Sequence, residues 1–134
     1  MGNDQLDEPW LDESITQYIT WLYFRDRYGA EAAESFFQSF QDRWNRVDQA
    51  DIPIGLPVSA YKGAEYSGII YGRGPIFVHE LAGVMGEDVF NTFLQDYYHT
   101  YKWGIANTTD FLNLAEKDCN CQLDDLFADE VYAR

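Results

Sequence analysis

The chain has 134 residues, 46% of them hydrophobic and 17% aromatic, and its 9 Lys and Arg against 23 Asp and Glu give a formal charge of −14. That length suits one domain, residues 1–134, and the apolar content is enough for a packed core, which excludes disorder driven by low hydrophobicity. The acidic balance argues against nucleic acid as a partner, because phosphate binding rests on Lys and Arg displacing counterions, and it disfavours an anionic membrane surface for the same reason.

Asp7, Glu8 and Pro9 stand where a helix should start, and Leu11, Ile15, Tyr18, Ile19 and Leu22 recur at helical spacing until Gly29, which predicts a helix over 9–28. A second is predicted over 30–45, with Ala33, Phe36, Phe37, Phe40 and Trp44 as an aromatic stripe, and the two should form an antiparallel hairpin. Between Val47 and Gly68 the periodicity disappears among Pro53, Gly55, Pro57 and Gly63, which reads as a long ordered loop. Helical spacing resumes with Ile70, Phe77, Val78, Leu81 and Met85, and again after Gly86 with Val89, Phe90, Phe93, Leu94, Tyr97 and Tyr101. Thr108, Thr109 and Asp110 suggest the cap of a short helix to about Lys117, and a last helix is expected over about 123–129. No apolar run approaches the roughly 20 residues a membrane helix needs, and the acidic start lacks a signal-peptide pattern. The expected fold is all-α, an antiparallel bundle of about five to six helices.

Few local strings point to chemistry. His79-Glu80-Leu81-Ala82-Gly83 begins like HExxH but has glycine at the second histidine, so it reads as an ordinary histidine on a packing helix. Cys119 and Cys121 offer at most two thiolates to a metal, and a disulfide closing so small a ring would be strained. The acids near Asp124 and Asp129 lack the alternating ligands of a calcium loop and read as a solvated face.

Two segments remain. In Trp10-Leu11-Asp12-Glu13-Ser14-Ile15-Thr16, Glu13 lies between apolar residues, where a carboxylate wants a partner or a metal, although an acid near a helix start is also favoured by the dipole. In the stretch from Tyr66 to Pro75, two tyrosines five apart accompany Gly68, Gly72, Gly74 and Arg73. Glycines permit close backbone approach to a substrate and a phenol can donate to a developing oxyanion; taken alone, the stretch reads as turn glycines and packing aromatics.

Together these segments resemble the zinc aminopeptidases of the gluzincin clan, the family that contains membrane alanyl aminopeptidase and leukotriene hydrolase. Trp10-Leu11-Asp12-Glu13-Ser14-Ile15-Thr16 is similar to the family's W-L-N-E-G-F-A, and Tyr71-Gly72-Arg73-Gly74 to its Y-x-K-G. Met85-Gly86-Glu87-Asp88, Ala106 to Phe111 and Leu126 to Tyr132 resemble later family segments in the same order. Ser14 stands for the usual glycine, Asp12 for asparagine and Arg73 for lysine.

The resemblance implies that Glu13 is a zinc ligand, that Tyr71 hydrogen-bonds the transition state, and that Tyr66 holds the place of a second active-site tyrosine. HExxH and the GxMEN segment that binds a substrate amine are absent, and in the family they would fall upstream of Met1. The chain is therefore expected to be the C-terminal helical lobe of a thermolysin-like catalytic domain. Its parent would be a zinc aminopeptidase acting on peptide N-termini. Its partners are then the N-terminal part of that domain and, in the parent, the peptide. The fragment alone should neither retain zinc nor hydrolyse peptides, one carboxylate being too few ligands. The competing expectation is a stand-alone acidic helical module that binds a partner without catalysis.

Overall fold

The computed structural model describes residues 2–3, 7–102 and 104–133. Helix α1 (Trp10–Tyr28) begins one residue after Pro9, with Asp12 and Glu13 in its first turn and Arg25 and Arg27 in its last, both signs matched to the helix dipole. Its N-terminal half buries Trp10, Leu11, Ser14, Ile15 and Tyr18. Ile19, expected in the core, is 37% exposed, because it faces away from that stripe. Gly29, at φ 96°, turns the chain directly into α2 (Ala30–Asn45), which packs back on α1 as the expected hairpin. Of its predicted stripe only Ala33 and Phe40 are fully buried, while Phe36 stacks on Phe24 with ring centroids 4.9 Å apart.

The long connection that follows is ordered by Tyr61, whose phenol shares its proton between the carbonyls of Pro53 and Ile54, at 2.7 and 2.8 Å. Helix then resumes earlier than the periodicity suggests. A single turn, α3 (Glu65–Gly68), runs into a π-helical turn over Ile69–Arg73 and on into α4 (Gly74–Met85). The glycines that read as breakers are helical. A Cβ on Gly72 would lie 2.7 Å from the backbone nitrogen of Trp44, and one on Gly68 only 2.5 Å from Val47, so they let this helix lie against α2.

Helix α5 (Glu87–Tyr101) packs on α4 and on α6 (Thr108–Cys119), and α7 (Asp124–Glu130) closes the described chain. The N-cap of α6 is Asn107, one residue before the expected threonine pair; its side chain accepts from the Asp110 amide while Asp110 accepts from the Asn107 amide, a reciprocal capping box. Cys119 and Cys121 are joined as a disulfide, the small ring that the sequence marks as a strained one. Asn120 between them adopts a left-handed conformation (φ 51°), and their Cα atoms stand 5.2 Å apart, an ordinary span for the bond. Two-residue strands, β1 (Gly2–Asn3) and β2 (Ile105–Ala106), pair in parallel, and every other regular element among the described residues is helical.

The core is aromatic. Trp10, fully buried, meets Phe77, Phe111 and Phe127 edge to face at 5.9, 5.2 and 6.2 Å, a geometry favoured by ring quadrupoles. Its indole N–H donates to Thr108 Oγ1 at 3.0 Å, and Glu8 accepts from the Thr108 amide at 3.0 Å. The start of α1 is thereby fastened to the start of α6, which anchors the turn that carries Glu13. No described helix is long and apolar enough to cross a membrane.

Candidate active site

Glu13 follows the buried anchor Trp10-Leu11 by less than one turn and sits half-buried at the edge of the packed face. It has no ion-pair partner among the described residues. Its Oε2 accepts a 2.7 Å hydrogen bond from the phenol of Tyr71, which lies in the π-helical turn 58 positions away. Two of the three residues singled out in the sequence therefore touch.

The third lies alongside. Tyr66, on α3, meets the Tyr71 ring edge-on with centroids 5.8 Å apart, and the Tyr61 ring at 6.1 Å. Burial, then the hydrogen bond and charge of Glu13, push the Tyr71 phenol well above the ordinary tyrosine range. Tyr66 is raised too, by burial first and then by the Glu13 charge. Both phenols stay protonated at neutral pH, with the Tyr71 O–H donating to Glu13 and Tyr66 within reach of the Glu13 and Asp12 charges.

Tyr71 is the middle residue of the π-helical turn. The amide of Gly74 bonds to the carbonyl of Ile69, an i to i+5 closure, and the carbonyls of the next two residues are taken by side chains of other helices. The hydroxyl of Ser14 donates to the Ile70 carbonyl at 2.6 Å, and Nη1 of Arg43 donates to the Tyr71 carbonyl at 3.2 Å and to Gln17 Oε1 at 3.3 Å. Sequence reading missed Ser14, Gln17 and Arg43. One signal was available for Ser14, a small polar residue on the Trp10, Ser14, Tyr18 stripe at i+4 spacing, since a buried hydroxyl needs a partner.

Other residues weighed in the sequence are used elsewhere. His79 packs against Trp21 and Phe37 at 4.9 and 4.8 Å, and burial lowers its pKa, as suits a neutral imidazole in an aromatic nest. Arg73, with a side chain 6% exposed, bonds Glu130 Oε2 through both Nε (3.0 Å) and Nη2 (2.7 Å), pairs with Asp51 at 3.0 Å, donates to the Ile52 carbonyl at 2.7 Å, and covers the Trp44 ring at 5.5 Å. It ties the long connection and α7 to the π-helical turn. The glycines of this stretch face α1 and α2, so their closeness serves helix packing.

Among the described residues, no three His, Cys, Asp or Glu side chains are grouped so as to hold a metal ion. At this corner Glu13 offers one carboxylate, which accepts a phenol hydrogen bond and pairs with no cation among the described residues.

Residues 2–130 match the family model described as the Peptidase family M1 domain, and the chain belongs to that family. It is similar to Aminopeptidase 2 of Candida albicans, with 26% identity over 109 residues that cover 78% of this chain and 12% of that protein. The chain thus spans a small part of the length of this relative. No solved structure matches it.

Proposed function

We propose that this chain is the helical lobe of the catalytic domain of an M1 aminopeptidase, to which it contributes one zinc ligand, Glu13, and a hydrogen-bond donor to the transition state, Tyr71. The observation that carries the reading is the 2.7 Å hydrogen bond between these two side chains, which joins two separately recognised segments at one point. Family membership supports a zinc peptidase and a peptide substrate.

The chemistry that a bound zinc ion supplies in such an enzyme is Lewis acidity at the scissile carbonyl and an activated water. Glu13 offers a carboxylate already oriented by a phenol, as second-shell hydrogen bonds orient ligands. Tyr71 keeps its proton at neutral pH and can swing it from Glu13 to a substrate oxygen arriving beside that carboxylate. Tyr66 borders the same corner and is proposed to orient Tyr71 or to donate to the same oxygen. The remaining ligands, the general base and the groups that recognise a free amine come from outside residues 1–134.

The test uses the peptidase of which this chain is part, with zinc content and turnover of an aminoacyl anilide as readouts. Glu13→Gln is expected to lose zinc. Tyr71→Phe is expected to keep zinc and lose about 100- to 1000-fold in kcat, the range for removing one oxyanion donor. Turnover unchanged in both variants would end the reading. The isolated chain is expected to hold no stoichiometric zinc and to show no turnover.

A further inference from the structure

The Tyr71 phenol that reaches Glu13 is carried within a π-helical turn. Such a turn accommodates one extra residue, and its relaxation to regular α-helix would rotate the two flanking stretches relative to each other by roughly 100° about the axis, the angle per residue, and turn Tyr71 within it by part of that. With the Gly74 amide on the Ile69 carbonyl and no N–H on Pro75, two carbonyls lack their helical donors, and buried carbonyls need donors. The two in question are those of Ile70 and of Tyr71 itself.

We infer that Ser14 and Arg43 are positioning residues for the Glu13–Tyr71 pair, because their hydrogen bonds to the Ile70 and Tyr71 carbonyls hold the π-helical turn in the register that aims the phenol at the carboxylate. Ser14 is fully buried and adjoins Glu13 on α1, so a single stretch of backbone sets both the carboxylate and the donor that clamps the turn. The fit is close: a Cβ on Gly74 would fall 2.0 Å from Ser14 Oγ, so the turn can dock on Ser14 only with glycine there. Arg43 closes the opposite side from α2 and, through Gln17, fixes that side to α1 one turn beyond Glu13. Neither residue touches the site's carboxylate or phenol oxygens in any hydrogen bond. Both act through the turn.

The inference rests on the reading of Glu13 and Tyr71 as site residues, and its test is separable from turnover. Denaturant unfolding of the full chain as wild type, Glu13→Ala, Tyr71→Phe and the double variant measures the coupling between the two side chains. The same cycle is then repeated in the Ser14→Ala and Arg43→Met backgrounds. We expect the coupling to fall by at least half in each, and Arg43→Met serves alone if Ser14→Ala does not fold. Coupling retained in full, however far the unfolding midpoints drop, would make both residues merely structural and overturn the inference, as would a wild-type cycle with no coupling. In the peptidase, Ser14→Ala is expected to lower kcat with KM unchanged. Should Glu13→Ala and Tyr71→Phe leave turnover intact, the functional reading fails while the cycle still reports on the alignment.

Discussion

The hydroxyl of Tyr71 donates to Oε2 of Glu13 at 2.7 Å, joining the first turn of α1 to a π-helical turn 58 residues later. The carboxylate has no cation partner among the described residues, so removing the phenol takes away this side-chain hydrogen bond with no ion pair to replace it. Tyr71→Phe is therefore expected to destabilise the chain by about 1 kcal/mol, the typical net value of one hydrogen bond. Urea unfolding at pH 7 checks this, and an unchanged midpoint would show that the contact adds nothing in solution.

Two helical glycines should respond to alanine with opposite signs. At Gly83 a Cβ meets nothing within 4 Å, so Gly83→Ala on α4 should stabilise by about 1 kcal/mol through helix propensity. At Gly72 a Cβ would lie 2.7 Å from the Trp44 nitrogen and 3.0 Å from the Phe40 carbonyl oxygen, both rigid backbone, so α2 would have to move. Overpacking of this kind costs about 1 to 3 kcal/mol and should outweigh the propensity gain. Paired thermal melts of the two variants decide the sign.

Arg73 should matter more for stability than an exposed arginine. Its guanidinium is nearly buried while Glu130 is 26% exposed, so Arg73→Met leaves a partly screened carboxylate and an unpaired Ile52 carbonyl. A loss of about 2 kcal/mol is expected, below the 3 to 5 kcal/mol of a fully buried pair because water reaches Glu130. Arg73→Lys keeps the charge without the fork and should fall between wild type and Arg73→Met in chemical unfolding.

Asp118 gives the chain a pH dependence of predictable sign. Burial, then the neighbouring Asp96 carboxylate, raises its pKa above the ordinary 3.8, with Lys117 opposing. One of its carboxylate oxygens is buried without a hydrogen-bond partner among the described residues. A raised carboxyl pKa favours the folded state at low pH, and that contribution is lost as pH rises through the folded value. Asp118→Asn is expected to raise the unfolding midpoint relative to wild type at pH 7, with the difference shrinking toward pH 3. A difference that is constant with pH would exclude this source.

The sequence by itself determined most of the helices of this protein and singled out the residues proposed as its site. Helix α1 was legible because Pro9, the first-turn acids and the Leu11, Ile15, Tyr18 spacing all act within a turn or two, and α2, α5 and α7 were legible for the same reason. Glu13, Tyr66 and Tyr71 stood out through ordered motifs, which are properties of the chain alone. Tertiary structure decided the rest. Gly68, Gly72 and Gly74 read as breaks because local propensity disfavours them in helices, and only the surface of α2 and the Ser14 side chain make them helical. The π-helical turn has one local signal, Pro75, which lacks the N–H that a regular helix would give to the Tyr71 carbonyl, but the donors that take the freed carbonyls, Ser14 and Arg43, come from two other helices. Whether the Tyr71 phenol meets Glu13 follows from that turn, because a one-residue change of helical register alters the direction of a side chain by more than any local preference can correct.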